Sequence, residues 1–247
     1  MQLKAILCCL IFFLGSLQEV VTARRRVVGA PPPTPALVQA FTPVFRNGGG
    51  SPQTFVFGSN PTATDTIAVM IVWSNTATIS SFVNASSTAY VNQAWASGST
   101  TCNFSGMFAQ FYYLKNLAGG ANDKTLTVTF SSSPAFVWFM AEEVSNVSTT
   151  APIDKVDCGT QAVTTAPSSP TLTPTNNNSF LLSMVADVNA NGRTYTAGTT
   201  PAYTRDGSSG SVSQNEEHFV QTTAAAITGN WTTSAAVNSV TSLVVLH

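Results

Sequence analysis

The chain has 247 residues, 44% of them apolar and only 9% charged, with a formal net charge of −1. This balance excludes the basic patch of a nucleic-acid binder, and the apolar fraction excludes general disorder. Polarity comes from Thr, Ser and Asn rather than from ions, which suits strand faces, where β-branched Thr packs well on a pleat.

Met1–Ala23 reads as a cleaved secretory signal, with Lys4 near the start, an apolar run over Ala5–Leu14, and small residues at Val21-Thr22-Ala23. The run is too short to span a bilayer, and no later stretch has the ~20 continuous apolar residues of a membrane helix. The expected product is secreted and extracellular, about 220 residues long and large enough for one filled core. Arg24-Arg25-Arg26 reads either as a solvated stub or as a site for a basic-specific processing protease. Residues 24–35, RRRVVGAPPPTP, form a Pro-rich extended arm, and a single domain is expected over residues 36–247.

In chain order, Ala36–Phe45 reads as a strand that Pro43 confines to an edge or bulge. After the Asn47–Gly50 turn, Gln53–Phe57 is a short strand. Thr66–Ser74, TIAVMIVWS, is continuously apolar and fits a strand covered on both sides or at a sheet centre. Thr78–Val83 and Thr88–Trp95 alternate as strands. Ser97–Ser105 is a loop carrying Cys102, Met107–Lys115 is an aromatic strand, and Asn116–Asp123 is a Gly-rich turn.

Lys124–Val144 follows as a hairpin, with strands at Lys124–Phe130 and Ala135–Val144. Ser145–Asn178 looks like a long connection, with one strand near Gln161–Thr165. Ser179–Val188 echoes Thr66–Ser74, and Asn191–Gly198 is loop. Ala202–Asp206 and Ser211–Gln221 are strands about a Gly/Ser turn. Ala225–Leu246 closes the chain as a second hairpin matching the first, with Phe130 aligned to Trp231, Ser133 to Ser234, Ala135 to Ala236 and Phe139 to Val240. No segment carries a capped helical stripe beyond the signal. The fold expected is all-β: a two-layer antiparallel β-sandwich, jelly-roll or Greek-key-like, with two similar halves.

Cys8 and Cys9 fall in the signal, so Cys102 and Cys158 are expected to pair in an oxidising compartment. Two thiols with His218 and His247 show no zinc spacing. Five N-glycosylation sequons stand at Asn84, Asn103, Asn146, Asn177 and Asn230, while Pro61 disqualifies Asn60.

Glu142 and Glu143 are adjacent on one strand, so they point to opposite faces and cannot cooperate directly. Glu216 and His218 share a face and could form an acid–base pair; a solvated outer strand is the plainer reading of Glu216-Glu217-His218. Gly207-Ser208-Ser209-Gly210 does not match a nucleophile elbow. A glycosidase needs two carboxylates facing one cleft, which Glu142 or Glu143 could meet only with Glu217 or Asp187. Calcium ligands are conceivable at Asp154, Asp157, Asp187 and Asp206, although no EF-hand or Asp-rich repeat is present and no cofactor is expected. Exposed Trp or Tyr could stack on a sugar ring, but core filling is the more economical role for the aromatics.

The runs DTIAVMIVWS, FYYLKNLAGGANDKTLTVTF, FVWFMAEEVSNVSTTAPIDK and TPAYTRDGSSGSVSQNEE resemble uncharacterised β-sandwich modules of secreted and surface proteins, mainly bacterial. The matching residues are Tyr113, Lys115, Asn116, Gly119, Thr127, Val128, Thr129, Phe130, Glu142, Ala151, Pro152 and Asp154. The likeness covers about residues 36–247 and implies turns and strand ends, with no catalytic residues. The cysteine pair and the sequons depart from the bacterial pattern and point to a eukaryotic secreted version. The role expected is extracellular recognition or a matrix or coat part, with glycans or matrix and surface proteins as partners. The alternative is a secreted polysaccharide hydrolase using Glu142, Glu143 or Glu217.

Overall fold

β-branched and aromatic runs separated by Gly, Pro, Asn and Ser favour strands joined by tight turns. The structure, a computed structural model, describes residues 33–48, 50–74, 76–187, 194–198, 201, 203–209 and 214–247. The expected signal and the Arg24-Arg25-Arg26 cluster lie outside the described residues. Strands take up 56% and helix 2%, so the chain is all-β, and its sheets are antiparallel.

The first half contains β1 (Ala36–Ala40), β2 (Val44–Asn47), β3 (Gln53–Val56), β4 (Thr66–Ser74), β5 (Ile79–Asn84), β6 (Val91–Gln93), β7 (Cys102–Phe104), β8 (Met107–Leu114), β9 (Thr125–Phe130) and β10 (Phe136–Ser145). A four-residue helix, α1 (Ala121–Lys124), precedes β9. The second half contains β11 (Ile153–Thr164), β12 (Ser179–Asp187), β13 (Tyr195–Ala197), β14 (Thr204–Ser209), β15 (Gln214–Gln221), β16 (Trp231–Thr233) and β17 (Val237–Leu246). The strand expected over residues 36–45 is split between β1 and β2, because Pro43 has no N–H to donate to the ladder. The stretch read as a long connection holds the twelve-residue β11. That strand lies at a sheet edge, and Val156 is its one fully buried apolar residue, so its hydrophobic alternation is faint.

The two halves use the same strand order. In the first, one sheet runs β1-β10-β4-β8-β6, with β2 beside β10 and β7 beside β8, and a smaller sheet runs β3-β9-β5. In the second, the large sheet runs β11-β17-β12-β15-β14. Its smaller partner is the β13-β16 pair, extended by bridges from Leu172 to Ile227 and from Ser168 to Asn230. Each half thus repeats one path, first strand beside last and last beside the long apolar strand.

Register confirms the match and corrects its phase. β1 slips by one residue against β10 between Leu37, opposite Val144, and Gln39, opposite Glu143. β11 slips in the same way against β17 between Ile153, opposite Leu246, and Lys155, opposite Val245. Val144 therefore corresponds to Leu246, which places Phe139 with Thr241 rather than with Val240. A one-residue error of this kind exchanges the two faces of a strand. The two expected hairpins are not hairpins: β9 and β10 lie in different sheets, as do β16 and β17. Each turn carries the chain across the core instead of back along its own sheet.

Alternate residues of the long strands enter different cores. Ala68, Met70 and Val72 of β4 join Trp138 and Met140 of β10 and Phe180, Leu182 and Met184 of β12 in one cluster shared by the two large sheets. Ile67, Val69, Ile71 and Trp73 point the other way, toward Phe55, Phe82, Leu126 and Val128 of the three-stranded sheet. On the far side of the second half, Leu181, Leu243 and Val245 meet Ile227 and Tyr203, and Val185 meets Tyr195 and Trp231. The two layers expected are thus replaced by four sheets among the described residues, because both faces of each large sheet are covered. Cys102 on β7 and Cys158 on β11 form a disulfide with a Cα–Cα distance of 6.3 Å, a covalent tie between the halves.

Candidate functional site

The repeated register allows the two halves to be compared position by position on the faces turned away from the shared core. In the first half five positions of this face hold Val69, Trp73, Tyr112, Val137 and Phe139, all buried, and Glu143 lies on the same face nearer the start of β4. The corresponding residues of the second half are Ser183, Asp187, Glu217, Ser239 and Thr241, and all five are also buried. Buried polar groups are costly unless they serve structure or function. At these five positions the second copy replaces apolar or aromatic side chains with polar ones, set among Leu181, Val185, Leu243 and Val245, which stay apolar.

Ser183 and Glu217 are cross-strand neighbours on β12 and β15. The amide of Gly198 donates to Glu217 Oε2 at 3.0 Å, which fixes the end of β13 over these positions. Tyr203 lies beside it, its ring 5.7 Å from that of Phe219. Burial first, then the charge of Glu217, holds the Tyr203 hydroxyl well above its ordinary range. Further along β15, Phe219 and Gln221 open into a groove of about 400 Å³, closed by Pro201, Ile227, Thr228 and Asn230. Gln221 Nε2 donates to the carbonyl of Ala225 at 2.9 Å, and Asn230 Nδ2 to the carbonyl of Thr228 at 3.1 Å. The groove thus sets a half-buried aromatic ring beside Thr228 and Asn230, with the Gln221 side chain in its wall, buried and held by the Ala225 carbonyl.

The acids singled out from sequence are dispersed. Glu142 is buried on the face of the seven-stranded sheet that meets the second half, and Glu143 lies on the opposite face of the same strand. Glu217 lies on the outer face of the other large sheet, so the three share no cleft. Asp187 does share a face with Glu217, but it stands four residues beyond Ser183, the residue opposite Glu217. At strand rise that is about 13 Å along the sheet, wider than the ~6.5–9.5 Å of an inverting glycosidase pair.

Glu216 and His218 fall on one face, as alternation requires, opposite Met184 and Leu182. That face is the shared core rather than solvent, and His218 stacks on Phe180 with centroids 5.1 Å apart. His218 therefore points away from Ser183 and Glu217, and no Ser–His–acid arrangement forms there. Sequence reasoning gave Ser183 no role; only the comparison with Val69 makes it stand out.

Glu143 accepts from the Thr62 amide at 2.6 Å and from Gln39 Nε2 at 2.5 Å. Asp65 is its neighbour, with a carboxyl pushed up to about 7 by burial, then by the hydrogen bond to Glu143 and the charge of Glu143.

Among the aspartates considered for calcium, Asp154 accepts twice from Thr175, from its amide and its hydroxyl, both at 2.6 Å. Asp157 accepts from the Cys158 amide, and Asp187 lies at the opposite end of the sheet from Asp154. No cluster of three metal-ligating side chains occurs among the described residues, nor any helix long and apolar enough to cross a membrane.

Asn103, Asn146 and Asn177 are exposed. Asn84 is buried, and its Nδ2, the atom a glycan would occupy, donates to Asp123 at 2.7 Å. Asn230 lines the groove. The residues that carry the family resemblance do structural work: Lys115 Nζ donates to the Thr150 carbonyl, Asn116 and Gly119 take positive φ, and Asp154 holds Thr175. No family model, curated protein or solved structure matches this chain.

Proposed function

We propose that the chain is a secreted, non-catalytic recognition protein made of two tandem jelly-roll units, the second of which binds a glycan in the Phe219 groove. The observation that carries this reading is the groove itself: Phe219 beside Gln221, Thr228 and Asn230. A pyranose presents an apolar C–H face and a rim of hydroxyls, which this pairing of aromatic ring and amides complements. The polar side chains behind it, where the other copy holds apolar or aromatic ones, support the assignment to the second half. The strand order, first beside last and last beside the long apolar strand, supports the jelly-roll reading. The disulfide supports an oxidising, extracellular setting, and the resemblance to surface modules agrees with it. The dispersal of Glu142, Glu143 and Glu217 over three faces supports binding over hydrolysis.

The test is a glycan array with the mature protein, followed by titration of any hit against Phe219→Ala and Gln221→Ala. Binding lost in both variants, while each still folds and unfolds cooperatively, is the expected result. Silence across the array would leave a purely structural part of a matrix or coat. Glycopeptide mapping of secreted material is expected to find sugar at Asn103, Asn146 and Asn177 and none at Asn84 or Asn230. Sugar on Asn230 would fill the groove from within and overturn the ligand assignment.

A further inference from the structure

The connection between β3 and β4, residues 57–65, is held from two sides. On one side it is bonded to the turn before β9: the Thr64 amide donates to the Leu117 carbonyl at 2.9 Å, the Leu117 amide to the Asp65 carbonyl at 3.0 Å, and the Gly120 amide to the Pro61 carbonyl at 2.8 Å. On the other side, among the described residues, its hydrogen bonds run through Glu143 and Gln39. Glu143 accepts from the Thr62 amide and from Gln39 Nε2, and Gln39 in turn accepts from the Ser59 amide at 3.1 Å and donates to the Ser59 carbonyl at 3.3 Å. Glu143 is fully buried, and Asp65, beside it, is 5% exposed. Ile67 stands opposite Glu143, so Asp65, two residues earlier on the same face, lies diagonal to it. Two carboxyl groups this close and out of water cannot both ionise cheaply; one proton between them turns repulsion into a hydrogen bond.

We infer that Asp65 and Glu143 form a proton-operated clamp that pins the 57–65 connection to the edge strand β1 and to β10, closed in acid and released in mild alkali. Asp65 carries the proton and donates to Glu143. Loss of that proton places a second negative charge against the acceptor that holds Thr62 and Gln39. The other charged groups packed nearby do not compensate. Lys115 is bonded to the Thr150 carbonyl. Asp123 accepts from Asn84 and from the Gly119 amide. Glu142 lies on the other face of β10. The rise of the Asp65 carboxyl to about 7 places the transition near neutrality. Phe57, the first residue of the connection, packs edge-on against Phe41 with ring centroids 5.6 Å apart, so release loosens one side of an aromatic cluster.

The two-sided hold supplies its own control. Amide exchange measured by NMR, as protection factors at pH 6 and pH 8.5, should show Thr62 and Ser59 losing about tenfold or more in protection while Thr64 and Gly120 keep theirs. In Asp65→Asn, whose side-chain amide donates at any pH, Thr62 should stay protected throughout. Equal protection of Thr62 at both pH values would overturn the clamp, as would a parallel loss at Thr64 or the same loss in the Asn variant. Should that variant fail to fold, the carboxyl ¹³C titration of Asp65 in the unaltered protein decides: a midpoint near the ordinary 4 refutes the proposal.

Discussion

Gly119 turns the chain at φ 82°, and a Cβ there would lie 2.7 Å from the amide nitrogen of Ala63. Gly229 is tighter still: its Cβ would stand 2.0 Å from Ser183 Oγ, because the segment leading into β16 rests directly on Ser183. Gly229→Ala should therefore destabilise the second half by about 1–3 kcal/mol, the range for overpacking, measured by urea unfolding. Adding Ser183→Gly should return part of the loss, whereas a cost unchanged by the second substitution would place the strain elsewhere. Asp65 makes a prediction of its own. Its folded pKa of about 7 lies above its value in the unfolded chain, so the folded state holds a proton that the unfolded state has already released. The associated stability is complete below about pH 4 and declines as pH rises to about 7. Melting temperature should fall across that window, and Asp65→Asn should flatten that part of the decline. Alternation alone told that Glu142 and Glu143 face opposite ways. It could not tell that both faces are interior, since that depends on sheets contributed by residues far away in the chain.

The most readable elements were the long apolar strands: β4 spans the expected Thr66–Ser74, and β12 begins at the expected Ser179. Both are buried along their whole length, so sequence and environment agree at every position. The hairpins misled because a short Ser/Pro turn is equally compatible with a strand that folds back and one that crosses to another sheet; only the pairing partners distinguish them. β11 was hidden by its place at the edge, where burial on one side leaves Lys155, Thr160 and Val163 exposed. Its start is held by Asp154 through two bonds to Thr175. Asp154→Ala should cost about 1–3 kcal/mol as both partners lose a charged acceptor, and faster amide exchange should be confined to the first residues of β11 and to Thr175. Loss spread evenly over the sheet would show that the bonds are not local. The candidate groove was the least readable element, because Phe219 and Gln221 acquire meaning only when Ile227 and Asn230 close over them.

The molecule as a whole is a repeated strand order whose copies have diverged in what they bury. The repetition is visible in sequence as two similar halves, in the echo of Thr66–Ser74 by Ser179–Val188 and in the likeness of the two closing segments, whose phase was off by one residue. The halves meet through a large apolar core and are joined by Cys102–Cys158, 56 residues apart. Cys102→Ser with Cys158→Ser should cost about 4 kcal/mol on the loop-entropy model, seen as a lower denaturant midpoint with both halves still unfolding together. Separate transitions would mean that the bond, rather than the shared core, couples them.

That cross-link also fixes how the protein yields to tension. A pull between its two ends can straighten everything outside the bridged loop, but the strands from β8 to β10 lie inside it and stay shielded. Under an optical trap the oxidised molecule should extend about 190 Å less than the reduced one, so a thiol reagent would set how far a single copy can stretch before it becomes slack.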